Sequence, residues 1–172
     1  VDSNKTATFS GTVSVAPENG IATFTNLRLT GTVSQYDLTF GTGGLSATQR
    51  VGLTHGVATQ VVLSGATTSS NARTISPALV ATIQDASGNV VDSGTDSTQR
   101  IEITASGATL AGSNSLSASS GVATFSNLSL TGTAGSKTLT ATISSPTEIT
   151  GTRTIDLGHG LATQLVITED AA

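Results

Sequence analysis

Gly20 to Thr32 reads GIATFTNLRLTGT, and Gly121 to Thr133 reads GVATFSNLSLTGT. Ten of the thirteen positions are identical, and the changes are Ile to Val, Thr to Ser and one Arg to Ser. A second pair follows the same logic, since GVATQVVLS from Gly56 recurs as GLATQLVIT from Gly160. The spacing is 101 residues by the first pair and 104 by the second. A period this long is a whole small domain rather than one turn of a solenoid. The 172 residues therefore hold about 1.7 copies of it, too few for two complete units.

Composition fixes the class of secondary structure. Ser and Thr make up roughly a third of the chain, charged residues 10% and aromatics 3%, and there are 19 glycines. Residues that favour helices are scarce and β-branched residues abundant, which suits many short strands joined by tight turns. The alternation of apolar residues marks them. Ala7 and Phe9, then Val13 and Val15, share a face, which predicts strands over Lys5 to Phe9 and Gly11 to Val15, followed by a turn at Pro17 to Gly20. A long strand is expected over Ile21 to Leu29, then strands over Tyr36 to Phe40 and Thr48 to Leu53.

The second repeat reads in the same way. Strands are expected at Ala58 to Ser64, at Leu79, Ala81 and Ile83, and at Ile101 and Ile103, with Leu110 and Leu116 flanking a Gly-Ser-Asn turn. Val122 to Leu130 should form another, followed by Leu139 to Ile143 and by Ile155 and Leu157. Asp85 to Asn89, DASGN, has the Asx and Gly chemistry of a turn between two strands, with Val90 and Val91 starting the return. Seven to eight short strands at about ten-residue spacing predict an antiparallel β-sandwich, with an up-and-down barrel as runner-up.

The expected organisation is residues 1–54 as the C-terminal part of one domain, 55–157 as a complete domain, and 158–172 as the first strand of a third. With no Met in the chain, Val1 is not a translational start, so the sequence is expected to have lost a leader or to be a middle piece. Leu165 and Ile167 on the Leu161 to Thr168 strand would each forfeit about 1.5–3 kcal/mol of burial if left exposed, which makes them candidate contacts to another domain or subunit.

These motifs resemble the tandem bacterial immunoglobulin-like domains of large secreted and cell-surface proteins, including adhesins, intimin/invasin-type stalks and surface-layer proteins. The resemblance rests on the 20–32 and 121–133 strands, the Ile83 to Val90 hairpin and the 56–62 and 160–166 junction strands. It implies an all-β fold of tandem antiparallel immunoglobulin-like β-sandwiches, one complete and flanked by partial ones. The implied role is structural and non-catalytic, in a stalk, surface layer or filament, with further copies of the repeat as partners; the rival is an adhesive module for carbohydrate or a host receptor. The family often places a Tyr just after the T-G-T segment to anchor a corner; Tyr36 fits that pattern, and Lys137 stands at the matching position of the second repeat.

Other function classes find little footing. A net charge of −4 with seven scattered Lys and Arg offers no basic stripe for nucleic acid. No apolar run approaches the ~20 residues that cross a bilayer. The lack of Cys removes thiolate catalysis and Cys-ligated metal. His55 and His159 occupy matching places before the junction strands and read as ordinary exposed residues with no acid partner. Asp85, Ser87, Asn89 and Asp92, with Asp96 nearby, are a faint echo of a calcium loop that lacks the terminal bidentate acid, so turn chemistry is the expected role and neither metal nor cofactor is expected. Glu169-Asp170 reads as a solvated end and Asn4-Lys-Thr as a chance sequon, whereas Asn127, in Asn127-Leu-Ser, is expected to serve a turn or bulge.

Overall fold

A computed structural model describes residues 6–144 and 147–167. The Lys5 start of the first strand, the Asn4 sequon, Thr168 and the Glu169-Asp170 pair lie outside the described residues. The chain is all-β with antiparallel sheets, and among the described residues the one helical element is a 3-10 turn at Thr95–Thr98.

The first repeat contributes β1 (Ala7–Ser10), β2 (Arg28–Gly31), β3 (Ser34–Thr42) and β4 (Leu45–Leu53). β1 pairs with β2, and β3 and β4 form a hairpin. The second repeat contributes β5 (Gln60–Ser64), β6 (Thr68–Ser70), β7 (Leu79–Gln84), β8 (Arg100–Ser106), β9 (Thr109–Ala111), β10 (Ser115–Ser117), β11 (Val122–Phe125), β12 (Ser129–Thr131), β13 (Gly135–Ile143) and β14 (Ile149–Gly158). Its strands form a five-stranded sheet in the order β10-β8-β13-β14-β6, a three-stranded sheet β11-β7-β5 and a short pair β12-β9. Every pairing is antiparallel except β14 with β6.

The alternating pattern of the sequence becomes one core. Val61 and Leu63 on β5, Leu79, Ala81 and Ile83 on β7, and Ala123 and Phe125 on β11 meet Ile101, Ile103, Leu139, Ala141, Ile143, Ile155 and Leu157 of the five-stranded sheet in a single buried cluster. Period-two alternation puts every second residue on the inner face, so β5, β7, β8, β11, β13 and β14 each bury two to four side chains. Gly151 lets β14 pass close under β5, because a Cβ there would lie 1.8 Å from the Val61 carbonyl oxygen.

The first repeat has no such core. Among its described residues up to Leu53 none is buried, and Phe9, Val13, Ile21, Val33 and Leu45 are exposed. Three sequence expectations fail here and in its counterpart. Ile21 to Leu29 is not one strand, since Ile21 makes an isolated bridge to Glu18 and the strand begins at Arg28; the matching residues of the second repeat form β11 by pairing with β7, and no described strand stands beside Ile21 to Phe24 in the place of β7. Gly11 to Val15 is not a strand either, because Gly11 has a φ of +90° and Asn26 Oδ1 takes the Thr12 N–H at 2.9 Å, which diverts the chain.

Val122 to Leu130 splits into β11 and β12 rather than running through. Asn127 makes the break, its Oδ1 accepting the Ser113 N–H at 3.1 Å while the chain crosses from the β7 edge to the β9 edge. Asn26 and Asn127 thus do the same job 101 residues apart, the turn role expected of Asn127. Two further expectations are corrected. Val90 and Val91 make a bridge and one backbone bond rather than a return strand, and Leu161 to Ile167 is not a strand.

Candidate functional site

The best-built polar cluster is the Asp85–Asn89 turn. Asp85 sits at the end of β7 and is only 5% exposed. Its carboxylate accepts the Gly56 N–H at 2.7 Å, the Ser87 N–H at 2.8 Å and the Asn89 N–H at 2.9 Å. Asn89 Nδ2 lies 3.2 and 3.0 Å from the two carboxylate oxygens. Burial pushes the Asp85 carboxyl up, and the donors from Gly56, Asn89 and Ser87 outweigh it, so it is held below the ordinary carboxylate value. A buried anion so fully bonded is a structural fixture.

The fixture aims the Asn89 amide at the first repeat. Nδ2 also donates to the Gly31 carbonyl at 2.9 Å, and Oδ1 accepts the Val33 N–H at 2.8 Å. One side chain thereby joins the T-G-T corner of the first repeat to the turn of the second, across 56 to 58 residues of sequence. The sequence showed the turn but not this reach, since nothing local tells an Asx turn which backbone its amide will meet. Both Asp85 carboxylate oxygens accept N–H donors, and among the described residues no three His, Asp or Glu side chains come together as metal ligands.

His55 departs from expectation. Its side chain is 17% exposed, with Nδ1 2.8 Å from the Gly56 carbonyl, which accepts, so Nδ1 donates. Nε2 lies 2.8 Å from Ser93 Oγ and 3.4 Å from Asp92 Oδ1. The residue therefore does have an acid neighbour, and it is half-buried because the Gly52 to Gly56 linker folds against the second repeat. Ser93 and His55 have nucleophile-and-base contact geometry. Asp92 flanks the nitrogen facing the serine, where it competes for the ring instead of orienting it from Nδ1. His159, at the matching place, is exposed.

Leu165 and Ile167 are 91% and 87% exposed, whereas their counterparts Val61 and Leu63 are buried on β5. The open side of the first repeat is a groove of about 610 Å³ lined by Val13, Val15, Phe24, Phe40, Leu45 and Ala47. By hairpin register Ala47 stands where the second repeat has Gly151, the residue that admits β5.

The two corners are held differently. Tyr36 Oη donates to the Thr32 carbonyl at 2.7 Å and lies 3.0 Å from Thr32 Oγ1. In the second repeat Lys137 is buried, a Cβ on Gly107 would lie 3.5 Å from its Cδ, and the corner is held by Asn71, whose amide brackets Gly132 at 2.8 and 3.2 Å. Arg153 is the other residue that sequence reading passes over; its guanidinium donates to the carbonyls of Leu63, Gly65 and Ala66 at the end of β5.

No protein-family model and no curated protein matches the chain. Among the described residues no helix is long and apolar enough to cross a membrane.

Proposed function

We propose that this chain is a structural, non-catalytic segment of an extracellular bacterial surface protein, built from immunoglobulin-like β-sandwich repeats that dock end to end. The second repeat, residues 55–157, is the complete sandwich, and residues 1–54 belong to the C-terminal part of the one before it. The repeats space or assemble; partners are further copies of the same repeat. The observation that carries this reading is the Asn89 amide, fixed by Asp85 and bonded to Gly31 and Val33 at the corner of the preceding repeat. A contact made through backbone groups and one buried turn would set the angle between neighbours.

The experiment is a pair of assays on the whole chain, a glycan array and host-cell binding, beside surface labelling of intact cells with an antibody raised to it. A spacer is silent in both binding assays and labelled at the surface. Saturable binding in either assay replaces the spacer reading with that of an adhesive module.

A further inference from the structure

The contact around Asn89 uses one face of the first repeat, and the second repeat carries the matching sequence positions at its own far end. Gly31 corresponds to Gly132, 101 residues on, in segments where ten of thirteen residues agree, and Val33 to Ala134, one residue past those segments. Val33 immediately precedes β3 and Ala134 immediately precedes β13, so both N–H groups lie just outside the hairpin ladder, and both residues are exposed. The linker repeats as well, with Thr54-His55-Gly56 matched by Gly158-His159-Gly160.

A second difference points the same way. His55 is tucked against Ser93 and Asp92 of the following repeat, and its counterpart His159 is exposed. The same local sequence is thus packed against the second repeat at His55 and exposed at His159.

We propose that Gly132 to Ala134, with Gly158 to Gly160, is a docking face for the Asp-Ala-Ser-Gly-Asn turn of another copy of this repeat, an inference that rests on the end-to-end reading above. The incoming Asn would accept the Ala134 N–H and donate to the Gly132 carbonyl. That carbonyl already accepts Asn71 Nδ2 at 2.8 Å, and a carbonyl oxygen has a second lone pair to offer. The incoming Asp would take the N–H of Gly160, as Asp85 takes that of Gly56.

The test extends the chain by placing a second copy of residues 56–158 directly after His159, and reads backbone amides by NMR. Exchange of the Ala134 N–H should slow at least tenfold relative to the parent chain, and the protection should vanish when the added copy's Asn is replaced by Ala. Unchanged Ala134 exchange, with the added copy giving dispersed folded resonances, overturns the proposal. Should the added copy stay unfolded, labelled parent chain is titrated with unlabelled V33P chain, in which the Val33 N–H that Asn89 binds is gone. Shifts at Gly132, Ala134 and Gly160 support docking, and their absence up to millimolar concentration overturns it. Glycan or cell binding would remove the spacer role and leave this contact standing, so the two failures are distinct.

Discussion

Phe24 and Phe125 hold the same position in a repeated sequence, yet Phe125 is sealed from solvent while Phe24 is half-exposed and rests on Phe40, ring centroids 5.4 Å apart. The difference lies in what each sequence finds beside it. Phe125 is on β11, which pairs edge to edge with β7, and its ring lies in the buried core, whereas Phe24 lines an open groove. Burial, not local propensity, decides whether G-[IV]-A-T-F becomes a strand.

Truncation should expose that asymmetry. Phe125→Ala removes a fully buried ring and should cost about 3–5 kcal/mol, while Phe24→Ala should cost less than about 1 kcal/mol. Urea unfolding followed by a probe on the second repeat measures both.

Asn89→Ala removes the amide that spans the two repeats. The Val33 N–H and the Gly31 carbonyl lose a partner, and at about 1 kcal/mol for each hydrogen bond the global change should be small. Hydrogen exchange at Val33 should accelerate at least fivefold while amides of β13 are unchanged.

Acid should act through Asp85. Its folded value lies below the ordinary 3.8, so the unfolded chain binds the proton more readily. The stabilisation is therefore complete above 3.8 and is lost as pH falls through the lower folded value. Asp85→Asn should flatten the fall of melting temperature below pH 3.8 relative to the parent chain, and a parallel fall in both would contradict this assignment.

Gly151→Ala places a methyl 1.8 Å from the Val61 carbonyl oxygen, which is backbone and has no way to swing aside. Separation of β5 from β14 should cost about 1–3 kcal/mol by thermal unfolding. Ala47→Gly, at the matching hairpin position, should leave the second repeat unaffected.

Much of the fold was legible because strand alternation is local. Leu79, Ala81 and Ile83, or Leu139, Ala141 and Ile143, declare their inner face within six residues, and the Asp85–Asn89 turn declares itself by composition. Strand existence at Ile21 to Phe24 was not legible, because it depends on a partner far away in sequence. The same limit hid the working side chains. Asn89 and Asn71 act 56 to 61 residues from their own positions, and Arg153 reaches carbonyls 87 to 90 residues back, distances at which spacing carries no signal. His55 misled for the converse reason, since a lone histidine in a Gly-marked linker reads as exposed until the linker folds back on Ser93.

The measurement that bears most directly on end-to-end docking is a set of backbone residual dipolar couplings for the whole chain in a weakly aligned medium. If the Asn89 contact sets the angle between repeats, one alignment tensor fits the amides of β3 and β4 together with those of β5 to β14, and Asn89→Ala separates them into two. Two unrelated tensors in the parent chain would contradict the account.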